Sequence, residues 1–547
     1  MTFAVTVADG PEFTFENPVS GLAILAEAAP AAKGPVIAWR VNHYLRTLRW
    51  TLEDDAEVAF VDTSSFEGME IYRRTLSFVL VVVCRKLLGE SLLVRHSISD
   101  GYYCELASGP VDGATVVRLR QAMEELIVSD LPIERVVLPL DRARTLFERQ
   151  GNDEKASLLR WAAVDPIEVY RMNGIHGFYY APLAPSTGFV SVFDLVAYEQ
   201  GMVLRFPTVA SPQALPPFQV PRKLTGVFRE YSRWTDVLGV GTAESLHRLV
   251  AQGECLELIL VSEALHAQRF SRLADEIIEK KSIRLVSIAG PSGSGKTTSA
   301  HRLRVQLRVC GLRPVTLSLD DYFVDRAHTP LDEEGNYDFE ALEALDLALI
   351  NDHLAKLLAG REVAVPRFDF LTGKRVAGPT LHLEKGDILI IEGIHGLNSR
   401  LTEAVADEEK FLIYVSCLTG VNFDRHNRTS TTDNRLLRRM VRDNRLRGKS
   451  PETTLTQWPS VIRGAQKHIF PYQERADVMF NSALPYELSV LKGFVEPLLR
   501  SVSDTSPAYG EAQRLLAMLR FMPLIRSQDV PNLSILREFI GGSCFDH

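Results

Sequence analysis

The chain has 547 residues, 46% hydrophobic and 24% charged, with a net charge of −8 at pH 7. That balance excludes disorder, collagen and coiled coil as overall descriptions, and the length predicts several domains. The longest apolar run, Leu76–Cys84 with one serine inside it, falls far short of the roughly 20 residues that cross a bilayer, so no membrane partner is expected.

The first residues carry no Lys or Arg before Lys33 and hold Asp9, Glu12 and Glu16, which reads as neither a signal nor a transit peptide and points to the cytoplasm. Residues 1–70 and 71–220 are rich in turn signals such as Gly34-Pro35 and Asp112-Gly113, and predict short strands with some helix. Ile71–Leu88 is the exception, because Leu76, Leu80, Val83 and Leu87 recur at helical spacing. The proline-rich run Ser211–Pro217 ends regular structure, and residues 221–282 read as a helical connector. From Ile283 the pattern changes. Ile283–Ala289, Pro314–Leu319, Asp387–Ile391 and Phe411–Val415 read as buried strands separated by helices, which predicts a parallel sheet covered on both faces within residues 283–498. Residues 499–547 read as a C-terminal helical segment, and the fold class is multidomain α/β. The six cysteines form no CxxC and predict reduced thiols.

Gly290-Pro291-Ser292-Gly293-Ser294-Gly295-Lys296-Thr297 is a complete GxxxxGK[ST] placed between a strand and a helix. Such a loop turns backbone N–H groups inward around phosphates, so Gly290, Ser292, Gly293, Ser294, Gly295, Lys296, Thr297 and Thr298 are expected to bind ATP, with Lys296 on the β and γ oxygens and Thr297 on Mg²⁺. The next strand delivers Asp320 and Asp321 at its carboxyl end, where ligands bind in a parallel sheet, and Asp320 is the expected base for a hydroxyl nucleophile. Glu392 ends a third buried strand and is the expected second Mg²⁺ group. Residues 425–449 hold eight Arg and one Lys against two Asp. There Arg435, Arg438, Arg439 and Arg442 share helical spacing, as in a mobile lid that neutralises the triphosphate; a basic face for RNA is the alternative.

Taken with Ser318–Phe323, Asn336–Phe339, Pro366–Phe370, Ile391–Gly393 and Arg438–Asp443, the phosphate loop makes residues 283–485 resemble the uridine kinase and phosphoribulokinase branch of P-loop kinases. The resemblance implies that Asp320 is the catalytic aspartate and that Asp338 holds ribose hydroxyls. It also implies that Arg439, Arg442 and Arg447 are lid and substrate arginines and Gln457 a late ribose contact. Phe368 stands where uridine and cytidine kinases usually place Tyr, and Thr372-Gly373-Lys374 where they place His; Phe368 can stack on a base but cannot hydrogen-bond its edge. The first part of the chain is similar to the first two domains of threonyl-tRNA synthetase, a TGS-like module over 1–70 and a second-domain-like module over 71–220, on the block Arg95–Glu105. Tyr180–Gly188 and Val192–Leu195 resemble bacterial-type nucleoside kinases with the same front end. The histidine pair with which the synthetase edits is replaced by Arg74 and Phe78 in this chain, so the front end is expected to bind or regulate without deacylating. His96 reads as a hydrogen-bonded core residue rather than, with Cys104, a metal site.

The leading expectation is an ATP- and Mg²⁺-dependent kinase acting on a nucleoside or related small molecule. A sugar phosphate on the same fold, an RNA-associated switch and a dead kinase kept as an assembly subunit are the alternatives, with RNA or a regulatory ligand at the front end and a homo-oligomer left open. No Asn-Lys-x-Asp guanine reader is found, and Asp332-Glu333-Glu334-Gly335 fits the DxxG spacing only in a polar stretch. A fragment starting near residue 222 is expected to keep phosphoryl transfer.

Overall fold

A computed structural model of the chain describes residues 2–8, 10–332 and 335–546. Asp9 of the acidic leader and Glu333 and Glu334 of the DxxG stretch lie outside the described residues. In the first module a five-stranded sheet has Ala56–Asp62 at its centre, with Phe3–Val7 parallel to it on one side and Val36–Val41 antiparallel on the other. Helix α1 (Gly21–Ala28) covers this sheet, with Gly21 pressed so closely on the Trp39 ring that no larger residue fits.

The second module is organised by helix α2 (Phe66–Leu88), which begins five residues before the apolar spacing does. The Ser65 side chain accepts from the Gly68 amide, and Gly89 closes the helix in a left-handed conformation. Its apolar residues point all round, so the helix is buried between other elements rather than lying on a surface. One of these is a four-stranded antiparallel sheet in which Leu92–Ile98 and Gly101–Leu106 form the hairpin of the synthetase-like block. His96 lies there, packed on the rings of Phe228 and Tyr103. This corrects the hydrogen-bonded reading: neither ring nitrogen has a hydrogen-bond partner, and burial pushes its pKa down to about 3. Cys104 faces Val94 rather than His96 across the hairpin, and no metal pair forms.

The connector folds as α3 (Arg222–Leu238), α4 (Ala243–Gln252) and α5 (Cys255–Glu279). The last unit holds a five-stranded parallel sheet of β1 (Leu285–Ala289), β2 (Pro314–Ser318), β3 (Ile388–Glu392), β4 (Lys410–Ser416) and β5 (Val478–Asn481), in the order β2-β3-β1-β4-β5. Helix α6 (Lys296–Val309) follows β1, and α7 (Thr431–Arg447), α8 (Pro451–His468) and α9 (Tyr509–Leu519) follow β4 and β5. Strand β5 and the hairpin Val363–Asp369 with Lys374–Leu381 are additions to the sequence reading.

The units are not packed as separate bodies. One apolar cluster contains Phe147 and Phe178 of the second module, Ile259 and Phe270 of the connector, Ile390 of the sheet, and Leu515 and Phe539 of the C-terminal segment. Buried polar groups cross the same boundary. Lys155 Nζ lies 3.4 Å from Asp424 Oδ2, with both side chains almost wholly buried, and Asn427 Nδ2 donates to the Phe178 carbonyl at 2.8 Å. The Val94 amide donates to the Arg425 carbonyl at 2.8 Å. A fragment beginning near residue 222 would expose this apolar surface and strand Asp424, so the expectation that it retains activity is withdrawn.

Asp424→Ala leaves the Lys155 ammonium buried without its carboxylate and should cost about 3–5 kcal/mol. Chemical denaturation should show the wild-type chain unfolding in one transition with the variant's midpoint lowered; separate transitions for the front and back of the wild-type chain would refute the continuous core.

Candidate active site

Every residue of β1 is buried, as the Leu-Val-Ser-Ile-Ala sequence requires of a central strand. The loop after it runs so close to β4 that a Cβ at Gly290 would sit 2.0 Å from the Val415 carbonyl oxygen. Gly293 and Gly295 have φ of 79° and 84°, the left-handed region that lets the chain wrap and then enter α6. Lys296 Nζ lies 3.5 Å from the Pro291 carbonyl, folded back over the loop.

Two adjacent strands bring the acids to this loop. Asp320 follows β2 in the turn Leu319–Tyr322, and Glu392 ends β3. Glu392 Oε1 accepts from Ser318 Oγ at 2.8 Å and from Thr297 Oγ1 at 3.3 Å. Burial, and next the negative charge of Asp320, push the Glu392 carboxyl up to about 7, against the pull of Lys296. Thr297, Ser318 and Glu392 together present hard oxygen donors, and a single carboxylate suits Mg²⁺ when phosphate and water complete its shell. Ser318 had been read only as part of a family block; its place at the last residue of β2, beside Glu392 in register, was the available signal. Among the described residues no group of three or more His, Cys, Asp or Glu is placed to hold a metal ion. Asp321 accepts from the Phe368 amide at 3.1 Å.

The arginines divide into two sets, which corrects the reading of one stripe aimed at one target. Arg435 and Arg438 are 2% and 0% exposed. Arg435 Nε donates to the Ser292 carbonyl at 2.9 Å, and Arg438 donates to the Gly293 and Ser482 carbonyls and to the Glu487 carboxylate. Both hold the loop from behind. Arg439 and Arg442 belong to the second set: Arg439 Nη1 donates to Ser292 Oγ at 3.0 Å, and both arginines bond Asp443. Arg447 pairs with Asp443 at 3.5 Å and stacks over Phe370. No pattern in the sequence marked Ser482 or Glu487.

Asp338 Oδ1 accepts from the Glu340 amide at 3.0 Å, and His468 Nε2 lies 3.6 Å from Asp338 Oδ2. Glu340 is buried, and its ionisation is opposed by burial and favoured by Arg439, Arg435 and Lys296, which places its carboxylate near the phosphate loop. Gly464 of α8 makes room for it, since a Cβ there would meet Glu340 Cβ at 2.3 Å. Phe368 is buried in the apolar core beside Phe323, with the exposed Phe370 ring against it, an anchoring position rather than an open stacking face. Gln457 is exposed, and its side-chain oxygen accepts from Lys449 at 2.9 Å.

The phosphoribulokinase/uridine kinase family model matches residues 285–488. A uridine kinase of Staphylococcus aureus is 32% identical over 202 residues, 36% of this chain and 87% of its own length. The N-terminal part matches a threonine–tRNA ligase of Lactobacillus acidophilus at 27% identity over 199 residues, and there the chain spans only 31% of the relative. A solved structure described as a possible uridine kinase from Bacillus stearothermophilus aligns at 22% identity, covering 39% of this chain and 98% of its own, with a TM-score of 0.28. Because so much of the Staphylococcus enzyme is covered at that identity, the chain belongs to the phosphoribulokinase/uridine kinase family, as a P-loop kinase fused behind a threonyl-tRNA synthetase-like region.

Proposed function

We propose that the chain transfers the γ-phosphoryl group of ATP, with Mg²⁺, to a hydroxyl of a nucleoside-like acceptor. The observation that carries this reading is the convergence of Lys296, Thr297, Asp320 and Glu392 at the carboxyl ends of three adjacent parallel strands. Loop amides and Lys296 bind and orient the triphosphate. Asp320 accepts the proton of the acceptor hydroxyl as its oxygen attacks the γ-phosphorus, and the bond to the β-phosphate oxygen breaks to release ADP. Thr297 and Glu392 would hold Mg²⁺, which would supply charge neutralisation to the phosphates. Arg439, already bonded to Ser292, and Arg442, which shares Asp443 with it, stabilise the charge that shifts toward the leaving oxygens.

Asp338 with His468 is suited to holding vicinal hydroxyls of a ribose, while Phe368, spent on packing, supports recognition through the sugar more than through a pyrimidine edge. The name of the Staphylococcus relative favours uridine or cytidine as the first acceptors to try. An RNA-facing α7 is disfavoured, because Arg435 and Arg438 of the proposed stripe are inside the protein. Arg74 donates to the Pro182 carbonyl and lies over the Tyr180 ring, while Phe78 is buried against Tyr179; both fill the region where editing histidines would act. The front end is therefore read as a packing and regulatory body. ADP release across a panel of nucleosides and sugar phosphates tests the acceptor, and turnover with sugar phosphates alone would overturn the nucleoside reading.

Lys296→Ala should weaken ATP binding, whereas Asp320→Asn should bind ATP nearly normally and lose about 10²-fold or more in kcat. Equal loss of ATP affinity in both variants, measured by calorimetry, would remove Asp320 as the base. A second prediction concerns Asp443. Burial alone would raise its carboxyl, but Arg442, Arg439 and Arg447 outweigh burial and hold it at about 2. A depressed carboxyl stabilises the fold fully above its unfolded value, 3.8, and that contribution disappears as pH falls from there to about 2. Denaturation midpoints of wild type should therefore fall across this window by more than those of Asp443→Asn, which should be the less stable of the two at neutral pH.

A further inference from the structure

The C-terminal residues 531–541 return across the amino end of α6. Glu538 is 6% exposed, and its Oε2 accepts from Thr298 Oγ1 at 2.8 Å and from the Thr298 amide at 3.2 Å. Ile535 lies against the last glycine of the loop, where a Cβ on Gly295 would be 2.5 Å from its side chain. The segment is fastened from α7: Arg445 donates to the carbonyls of Glu538 and Phe539 at 3.1 and 3.2 Å, and the Arg438 guanidinium lies over the Phe539 ring.

The Thr298 amide is one of the first-turn donors of α6 that have no partner within the helix. Such donors, with the positive end of the helix, are what an incoming phosphate uses. A carboxylate is an anion with the same preference, and one set of donors cannot serve both. The Glu538 charge also reaches the rest of the site, since it favours the ionised forms of Arg438 and Arg442 and opposes ionisation of Glu392. A triphosphate arriving beside a fixed Glu538 would meet both an occupied donor pair and a like charge.

We propose that this C-terminal hook is an internal competitor for the nucleotide site: Glu538 holds Thr298 where a phosphate of ATP would bind, and the hook leaves when nucleotide is seated. The proposal rests on the reading of residues 290–298 as the ATP site. Release breaks the bonds from Arg445 and Thr298 and draws Ile535, Leu536 and Phe539 out of the apolar core, while Arg438 loses the Phe539 ring but keeps its hydrogen bonds to the loop.

Calorimetric titration of the full chain with Mg-ATP tests it, using wild type, Glu538→Ala, Glu538→Gln and Lys296→Ala. Removing the competing charge should tighten ATP binding about tenfold in both Glu538 variants, the scale of a charge-assisted hydrogen bond. Unchanged or weakened binding in both overturns the proposal. Hydrogen exchange on the wild-type chain is the second measurement and does not depend on any variant folding. Amides of residues 534–541 should lose protection when Mg-ATP is added; a gain would show the hook to be a wall of the occupied site and overturn the competitor role. Binding that requires Lys296 but ignores Glu538 sinks the hook alone, whereas binding indifferent to Lys296 sinks the ATP-site reading and the hook with it.

Discussion

The guanidinium of Arg438 is the interaction on which the phosphate site depends. It is fully buried, and a buried charge is tolerated when it is paired and its N–H groups are largely hydrogen-bonded; here both Nη atoms are bonded and Nε has no partner. Glu487 supplies the charge, and the Gly293 and Ser482 carbonyls take further N–H groups. The loop carbonyl at Gly293 is thereby tied to α7. One residue thus ties together the loop after β1, the loop after β5 and the helix α7, elements nearly two hundred residues apart in the chain.

Much of the sheet was legible in the sequence because buried parallel strands are largely apolar runs, and β1, β3 and β4 are of that kind, while the edge strand β2 is only partly buried. Strand β5 was not, since Val-Met-Phe-Asn is four residues long and ends in a polar side chain that bonds the Leu418 backbone. The phosphate loop was legible for a different reason: its spacing is dictated by backbone geometry, which local sequence encodes. The arginines of α7 were misread because spacing reveals that side chains share a helical face but not what the face meets. Leu436, Leu437, Met440 and Val441 are buried as well, so the helix is enclosed and its arginines serve inward contacts. Glu538 was illegible in principle, because nothing in Leu-Arg-Glu-Phe-Ile says that its carboxylate reaches a residue 240 positions earlier.

The same limit explains the front end. The proline-rich run marks where regular structure stops, and it was natural to place a boundary there. A boundary in the chain is not a boundary in the core. Phe147, Phe178 and the buried Lys155 have their partners in the loop after β4 and in the C-terminal segment, so this face of the second module is committed to packing against the rest of the chain. Arg514 extends the connection, pairing with Asp433 at 2.7 Å in the first turn of α7, while α9 also places Tyr509 against Tyr44 of the first module.

These ties decide what can move when substrates bind. A rigid swing of α7 as a lid would break the Arg438–Glu487 and Arg514–Asp433 pairs, and each buried charge left behind costs about 3–5 kcal/mol. Side-chain motion of Arg439, Arg442 and Arg447 about Asp443 breaks no such pair, because each can exchange the shared carboxylate for a phosphate oxygen while the others keep Asp443 satisfied. Three cations on one carboxylate carry an excess of positive charge that a triphosphate would balance. Any closure of the proposed site would therefore be a rearrangement at the carboxyl end of α7 around a helix held in place by the Arg438–Glu487 and Arg514–Asp433 pairs, with α9 as the brace.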